Sequence, residues 1–354
     1  MAFARPSLPP LRVERSHVRR GAGFLIGIGV PVLIAASAGH SRAALLAGIT
    51  GLVLSFADNE RGLAARIGLL GVVALCMCAG GGAGYLLAGK PAAFWPVFVA
   101  LVFGVGMAAR GGREPAMAAR YGAMAFAATA GLPEFDINDA VLVSTTVAVT
   151  ILFRTADHLL FGPLPRSAAA PQPQRPPTHL GWIRFALAYA AAASASLWIG
   201  LTLEPLRAVW VVTTTLIVMQ ADARASYQRI VERITGTFLG VLLAWVIVSL
   251  VSKAATTWPM GTAFESSALC ALALIASPFI PHHVGQRYWL HTALIALFIL
   301  LMYGYAEPSI HELDTLFGER LKDMLLGCAI AIAGTAVAFP RERDASGDDA
   351  AADT

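Results

Sequence analysis

Long uncharged apolar runs, separated by short polar segments, dominate the pattern of the chain. In the first half these runs are Gly21–Gly39, Ala43–Ala57, Ile67–Gly89, Pro91–Ala109, Tyr121–Pro133 and Ala140–Phe153. In the second half they are Phe185–Leu203, Ala208–Ala221, Ile234–Ser252, Ser266–Pro281, Tyr288–Ala306 and Met324–Pro340. Because about 20 helical residues cross a bilayer core of about 30 Å, the pattern predicts an all-α integral membrane protein with about twelve transmembrane helices.

Composition also indicates a membrane rather than an aqueous environment. Hydrophobic residues make up 57% of the chain and charged residues 14%, and the mean hydropathy is +0.66. A soluble protein of this size needs a charged surface, and there is too little charge to form one. The pI near 9.0 does not indicate nucleic-acid binding, because the basic residues lie in short loops between apolar runs.

The lysine and arginine residues predict the orientation of the helices. With a cytoplasmic N-terminus and twelve spans, 20 of the 26 lysine and arginine residues fall on the cytoplasmic side and six on the other side. The positive-inside rule therefore predicts two cytoplasmic termini in a bacterial inner membrane. An alternative is a cleaved signal peptide over residues 1–39. The basic region of 20 residues and the apolar run of 19 residues favour a first transmembrane helix instead.

The two halves of the chain repeat each other. Four pairs of residues recur at offsets of 164 to 167 positions: Arg42 with Arg207, Asp58 with Asp222, Arg66 with Arg233, and Tyr121 with Tyr288. The predicted organisation is a cytoplasmic segment (1–20), a first six-helix repeat (21–154), a proline-rich cytoplasmic linker (155–180), a second six-helix repeat (181–340) and a cytoplasmic tail (341–354). Because each repeat has six helices, both begin on the same side, and such parallel repeats place a transport pathway at their interface.

The turn between the eighth and ninth runs carries the most informative residues. Gly236 and Gly240 lie on one helix face, where a neighbouring helix can approach closely. Glu232 and Arg233 follow Arg229 by three and four residues, spacings that permit pairing on one helix face. The second and eighth runs have only 15 and 14 residues, and short segments at corresponding places in two halves indicate a transport site. In the alternative interpretation, the arginines only set the topology and the turn carboxylate only caps or pairs.

This segment resembles the signature of the fusaric acid resistance (FUSC) family. The family's Q-x-D-like turn and its R-I-x-G-T-x-x-G motif match Gln220, Asp222, Arg229, Arg233, Gly236, Thr237 and Gly240. The R-x-x-D-x-x-x-G motif of its final helix matches Arg320, Asp323 and Gly327, and Tyr288 matches the tyrosine that often opens the fifth helix. The resemblance covers residues 185–340 well. The first half is similar only at Asp58, Arg66 and Gly68.

The resemblance implies a membrane transporter related to bacterial aromatic carboxylic acid exporters and, more distantly, to plant aluminium-activated malate channels. Many bacterial members carry large cytoplasmic domains after each six-helix unit. Here only the proline-rich linker and a 14-residue tail stand in those places, so a role for a periplasmic adaptor protein stays open.

A carboxylate substrate needs a basic and partly dehydrated path, and arginine offers a planar pair of donors for it. Helix N-termini predicted at positions 234 and 324 add positive dipole ends. The predicted substrate-binding residues are Arg207, Asp222, Arg229, Arg233, Tyr288, Arg320 and Asp323, with the repeat equivalents Arg42, Asp58, Arg66 and Tyr121. The expected function is export of aromatic or other organic carboxylate anions across the inner membrane.

Two alternatives to an exporter remain at the level of sequence: a passive organic-anion channel and a membrane scaffold without transport. An enzyme is not expected, because no carboxylate, histidine or cysteine constellation lies at one membrane depth. We expect no cofactor and no metal, since the four cysteines lie in apolar runs. His282, His283 and His291 are weak metal candidates, because the two adjacent histidines cannot share a helix face. The expected partners are the lipid bilayer and a small organic anion, and homo-oligomer formation stays open.

Overall fold

The computed structural model describes residues 15–57, 62–131, 137–163, 178–203, 205–257, 261–283, 287–306 and 310–340. This part of the chain forms twelve α-helices and contains no β-strand. The helices are α1 (Arg15–Ser37), α2 (Ser41–Ala57), α3 (Leu63–Leu87), α4 (Pro91–Ala108), α5 (Arg113–Gly131), α6 (Ile137–Phe161), α7 (His179–Leu203), α8 (Pro205–Val218), α9 (Ala223–Ala255), α10 (Gly261–Ala276), α11 (Tyr288–Ala306) and α12 (Ile310–Ala338). Two 3₁₀ segments, Ala109–Gly111 and Ser277–His283, follow α4 and α10.

Each predicted apolar run corresponds to one of these helices, which confirms the all-α fold. Eight of the twelve described helices are longer than the runs predicted, and four of them show the pattern. α5, α9 and α12 begin at Arg113, Ala223 and Ile310 rather than at 121, 234 and 324, and α6 ends at Phe161 rather than at 153. The predicted runs ended wherever a charged residue occurred. The helices continue through these charges because many of them are buried against other helices of the bundle.

These longer helices correct two of the four predicted repeat pairs. Arg120 and Tyr121 lie two turns inside α5, whereas Tyr288 begins α11. Arg66 lies in the first turn of α3, whereas Arg233 lies about three turns inside α9. The predicted boundary of the first repeat at residue 154 also falls inside α6. The residues of these two pairs therefore do not occupy equivalent positions in their helices.

Eight of the twelve described helices are long and apolar enough to cross a membrane, and the chain is a multi-pass membrane protein. The expectation of twelve spans is not confirmed, because α2 and α8 are shorter apolar helices and α5 and α6 fall outside the eight. With 14 residues, α8 is about 21 Å long, less than the thickness of a bilayer core. Its inward-facing residues Val211, Val212 and Thr215 are fully buried, so neighbouring helices rather than lipid surround them.

Large apolar side chains cover the outside of the bundle. On α3, Leu75 and Leu86 are exposed, and on α9 the same holds for Phe238, Leu242 and Trp245. Soluble proteins rarely expose such contiguous apolar surface to water, whereas the hydrocarbon core of a bilayer solvates it favourably. These faces are consistent with contact to lipid.

The two halves pack internally in the same way and interlock with each other. α1 packs on α2 and α3 on α5 in the first half, as α7 packs on α8 and α9 on α11 in the second. Across the halves, α4 and α5 pack against α7 and α8, while α1 and α2 pack against the α10–α11 region. One shared core joins Phe98 and Phe126 to Phe185 and Leu216, and another joins Ile28 to Phe298.

The predicted close approach at Gly236 and Gly240 is confirmed, and the neighbouring helix is α11. A Cβ atom at Gly236 would overlap the Trp289 carbonyl and the Thr292 hydroxyl. A Cβ atom at Gly240 would overlap the Ala293 carbonyl. The family-type glycines therefore set the distance between α9 and α11.

Candidate functional site

The Q-x-D-like turn between α8 and α9 caps the end of the first helix and the start of the second. The Gln220 side-chain amide donates to the carbonyls of Ile217 and Met219 at 2.8 and 3.0 Å, which closes the end of α8. Asp222 is the N-cap of α9 and accepts a hydrogen bond from the Ala225 amide at 2.6 Å. Asp222 was predicted to bind substrate, but its carboxylate bonds the helix terminus, which is a structural role.

Arg233, Arg320 and Asp323 form a buried group between α9 and α12, which we call the second-half arginine cluster. Their exposed fractions are 4%, 3% and 1%. Arg320 interacts electrostatically with both Arg233 and Asp323, and its guanidinium carbon lies 4.0 Å from the centroid of the Trp210 ring. The structure therefore brings together three of the predicted site residues and adds an aromatic partner from α8.

Several donors in and around this cluster lack a hydrogen-bond partner among the described residues. They are the Nε and Nη1 atoms of Arg320, the Nε atom of Arg233 and the hydroxyls of Thr214 and Thr237. A buried donor without an acceptor is costly, and a charged donor is costlier still. An anion that accepts from these groups would remove that cost, so the arrangement suits a negatively charged ligand.

Gly327 explains why α12 comes close enough to α8 to build this cluster. A Cβ atom on Gly327 would lie 2.7 Å from the Val211 carbonyl and 2.8 Å from the Thr214 side chain. The Thr215 hydroxyl donates to the Gly327 carbonyl at 3.0 Å. The glycine of the R-x-x-D-x-x-x-G motif thus positions the arginine two turns earlier and the aspartate one turn earlier on the same helix.

A second basic group lies between the two halves and is called the inter-half cluster. It contains Arg113, Arg120 and Tyr121 of α5, Tyr189 of α7, Arg229 of α9 and Tyr288 of α11. The Arg229 guanidinium carbon lies 5.1 Å from the centroid of the Tyr288 ring. Arg120 hydrogen-bonds the Tyr189 hydroxyl, which itself donates to the Leu216 carbonyl at 2.7 Å. Predicted residues Arg229, Tyr288 and Tyr121 are therefore brought together here.

The third charged group is an ion network in the first half. Asp157 of α6 accepts from Arg19 of α1 at 3.1 Å and from Arg66 of α3 at 3.5 Å. Arg19 also donates to the carbonyls of Phe161 and Gly162, at the end of α6. Arg66 has an exposed fraction of 1%. The structure therefore gives Arg66 a carboxylate partner in a network that links three helices.

The remaining predicted residues lie elsewhere or outside the described residues. Arg42 is exposed in the first turn of α2. Arg207 lies in the first turn of α8, but its side chain is outside what the structure describes, as is all of Asp58.

The sequence-based prediction missed six residues of these groups, namely Arg19, Arg113, Arg120, Asp157, Tyr189 and Trp210, and also the buried Arg154 of α6. A signal for two of them exists in the sequence. Arg154 and Asp157 in α6 repeat the R-x-x-D spacing of Arg320 and Asp323 in α12. Arg154 is buried against Gly23 of α1, where a Cβ atom would overlap its guanidinium. No comparable signal marks Trp210, since its role depends on the packing of α8 against α12.

Among the described residues, no group of histidine, cysteine or carboxylate side chains could hold a metal ion. The Nδ1 atom of His291 lies 3.2 Å from the Ile280 carbonyl, and its ring packs against Phe56 at 4.9 Å between centroids. The side chains of His282 and His283 lie outside the described residues. His291 is thus held by packing and by one backbone contact.

Buried arginine clusters within a bundle of apolar helices define a helical multi-pass membrane protein with a polar interior. Residues 188–334 match the family described as Fusaric acid resistance protein-like. This match confirms the predicted resemblance over most of the second half of the chain. The family indicates a membrane transport role. No curated protein and no solved structure matches the chain.

Proposed function

We propose that this protein exports organic carboxylate anions, aromatic ones among them, across a bacterial inner membrane. The observation that carries the proposal is the second-half arginine cluster, in which Arg233 and Arg320 are almost fully buried and retain unpartnered donors. Ionisable side chains inside a membrane bundle are costly and typically mark a substrate or ion pathway. The cluster lies entirely within the segment that matches the family.

The charges of the cluster suit binding followed by release. Two guanidinium groups and one carboxylate, Asp323, leave a net charge of +1 (two positive minus one negative) before an anion arrives. A carboxylate can accept paired hydrogen bonds from a guanidinium, which gives geometric selectivity as well as attraction. Asp323 competes with the anion for Arg320, so it limits the affinity for the anion and favours its release.

The membrane potential supplies a driving force in the export direction. Both termini are proposed to be cytoplasmic, as the distribution of basic residues predicts. Moving one negative charge outward across an inside-negative potential of about 100 mV is favourable by roughly 2.3 kcal/mol. Export of a monovalent anion then needs no coupling ion.

The proposal includes two parallel six-helix repeats with the pathway at or near their interface. The helix pairs α1–α2 and α3–α5 recur as α7–α8 and α9–α11, which supports the repeat. The contacts of α4 and α5 with the second half are mirrored by those of α10 and α11 with the first half. Such exchanged contacts are what an axis along the membrane normal would generate.

Flux through proteoliposomes tests the function. Vesicles loaded with radiolabelled benzoate would contain the wild-type protein, Arg233→Ala, Arg320→Gln or the control Arg224→Gln, in which an exposed arginine of α9 is changed. We expect saturable benzoate flux with the wild type and the control, and at least a tenfold lower flux with the two cluster variants. Equal flux in all four samples would remove the cluster from the mechanism, and no flux of any organic acid would remove the function. Large ohmic currents in planar bilayers would identify a channel instead of a carrier.

A further inference from the structure

The inter-half cluster has no part in the transport step proposed above, although it gathers more basic residues than the second-half arginine cluster. Its members come from α5 of the first half and from α7, α9 and α11 of the second half. It lies at the end of the bundle where α5, α9 and α11 begin and where α8 ends. That is the cytoplasmic end in the proposed orientation.

Positive charge is in excess at this interface. Arg113 and Arg120 both repel the Arg229 guanidinium, and the one carboxylate among its electrostatic partners is Glu232, within the described part of the chain. Three guanidinium groups and one carboxylate give a net charge of +2 (three positive minus one negative). Repulsion between these arginines acts across the two halves, so an anion placed among them would bind favourably and hold the halves together.

Two donors at the cluster are buried and have no hydrogen-bond partner among the described residues: the Nε atom of Arg120 and the hydroxyl of Tyr288. They lie on α5 and α11, one from each half. Arg120 and Tyr288 both interact electrostatically with Arg229. The hydrogen-bond donors without an acceptor and the excess positive charge therefore occur at the same place. Both would be satisfied by one kind of ligand, an anion that accepts hydrogen bonds.

The geometry points to a second binding site, in the inter-half cluster, for an organic carboxylate with an aromatic ring. Its carboxylate accepts from Arg120, Arg229 and the Tyr288 hydroxyl, and its ring packs among Tyr121, Tyr189 and Tyr288. Arg229 precedes Arg233 by four residues, one helical turn of about 6 Å, so the site leads directly to the second-half arginine cluster. Its role as the first stop in export rests on the proposed function, whereas the binding itself does not.

Ligand-induced stabilisation of the purified protein tests this site. The melting temperature would be measured in a neutral detergent with benzoate, with cyclohexanecarboxylate of similar size, and with the cation benzylamine. Benzoate should stabilise the wild type, with a Kd about fivefold lower than that of cyclohexanecarboxylate because only benzoate offers an aromatic face. Benzylamine should have no effect. Stabilisation by benzylamine, or equal affinity for the two acids, would overturn the assignment.

Variants assign the binding to the cluster. Arg120→Gln and Arg229→Gln should each raise the Kd for benzoate at least tenfold, while the exposed control Arg224→Gln should leave it unchanged. Tyr288→Phe keeps the ring beneath Arg229 and removes only the unpartnered hydroxyl, so it should fold normally and raise the Kd several-fold. The site would be overturned if the Kd for benzoate were unchanged both in Tyr288→Phe and in one correctly folded arginine variant.

Two further experiments distinguish benzoate binding from lipid binding, and failure of the site from failure of the proposed function. In nanodiscs of phosphatidylcholine the benzoate effect should persist. If replacing part of the lipid by phosphatidylglycerol stabilises the wild type but not Arg229→Gln and abolishes the benzoate effect, the site belongs to a lipid headgroup and the inference fails. Binding without any flux in proteoliposomes would refute the proposed function and leave the site intact. Flux that persists while Arg120→Gln and Arg229→Gln bind benzoate normally would refute the site alone.

Discussion

The guanidinium of Arg320 stacks on the indole of Trp210, with 4.0 Å between the guanidinium carbon and the ring centroid. The two residues come from α12 and α8 and are brought together by the close approach at Gly327. Stacking on an aromatic face uses the plane of the guanidinium and leaves the N–H groups at its edge available. Two of these groups, at Nε and Nη1, have no partner among the described residues. Trp210 thus positions the arginine without occupying its donors.

Replacement of Trp210 should therefore lower transport by releasing Arg320 from this orientation. A desolvated cation–π contact contributes about 2 kcal/mol, which corresponds to roughly a thirtyfold change. We expect Trp210→Leu to reduce benzoate flux at limiting concentration by about ten- to thirtyfold, and Trp210→Phe to reduce it less. Initial rates in proteoliposomes measure the effect. The exposed residue Trp198 on α7 provides the control Trp198→Leu, which should transport normally.

A transport rate for Trp210→Leu equal to that of Trp198→Leu would contradict the positioning role. Arg320→Lys provides a second comparison in the same assay. Lysine keeps the charge but lacks the planar donor pair, so flux should fall well below that of the wild type.

Asp222 should contribute to stability and not to transport chemistry. Its carboxylate caps α9 through the Ala225 amide at 2.6 Å. Loss of such an N-cap typically costs about 1 kcal/mol, while asparagine or serine at the same place retains most of the cap. Asp222→Ala should lower the free energy of unfolding by about this amount, and Asp222→Asn should not. Unfolding in mixed micelles measures the change.

Transport by the folded fraction of Asp222→Ala should match that of the wild type. A complete loss of flux in Asp222→Asn, with normal stability, would instead place the carboxylate in the transport mechanism.

The glycines of α9 should tolerate no side chain on the face toward α11. A Cβ atom at Gly236 or Gly240 would overlap backbone atoms of α11, which cannot move aside as a flexible side chain can. Overpacking of this kind costs roughly 1–3 kcal/mol. Gly236→Ala and Gly240→Ala should therefore melt at lower temperature than the wild type. Gly82 of α3 has no neighbouring atom within 4 Å of a Cβ position, so Gly82→Ala is the matched control and should be neutral. Equal melting temperatures for all three variants would contradict the close packing.

Charged residues explain where the predicted helices differ from those observed. Apolar runs correctly located all twelve helices, because lipid-facing and core-facing positions both require apolar side chains. The runs stopped short at Arg154, Arg233 and Asp323, all of which lie inside helices and are buried. A search for uncharged stretches cannot separate a charge in a loop from a charge that is packed against another helix.

The candidate site was predictable in its residue types but not in its grouping. The family-like motifs identified Arg229, Arg233, Arg320 and Asp323, yet these residues belong to two different clusters. The cluster to which a residue belongs depends on which neighbouring helix its helix face contacts. The spacing of residues along the sequence does not contain that information. Arg120, from the first half, joins Arg229 only because α5 packs against the second half.

The proposed topology makes a prediction for two exposed turns. Lys90 lies in the turn between α3 and α4, and Arg110 lies between α4 and α5 at the opposite end of the bundle. In a background with the four native cysteines replaced by alanine, Lys90→Cys should react with a membrane-impermeant maleimide in intact cells whose outer membrane is permeable. Arg110→Cys should react only after the inner membrane is opened. The reverse pattern would place both termini outside.

The first-half ion network should be structural, in contrast to the second-half arginine cluster. Arg19 and Arg66 share the carboxylate of Asp157, and removing one partner of a buried ion pair typically costs about 3–5 kcal/mol. Asp157→Asn should lower the free energy of unfolding by about this amount. The double variant Asp157→Leu/Arg66→Met should regain much of it, because the carboxylate and its most buried partner are removed together while Arg19 keeps its carbonyl acceptors at Phe161 and Gly162. Unfolding in mixed micelles measures both variants.

Flux per folded molecule decides whether the two halves differ in function. Arg66 has a carboxylate that accepts from it, whereas Arg320 keeps two unpartnered donors among the described residues, so of these two arginines Arg320 is the one that offers hydrogen bonds to an incoming anion. We therefore expect the Asp157→Leu/Arg66→Met protein to transport benzoate at close to the wild-type rate once its folded fraction is taken into account. A rate as low as that of Arg320→Gln would mean that the two halves contribute alike to the pathway, and the asymmetric site would have to be abandoned.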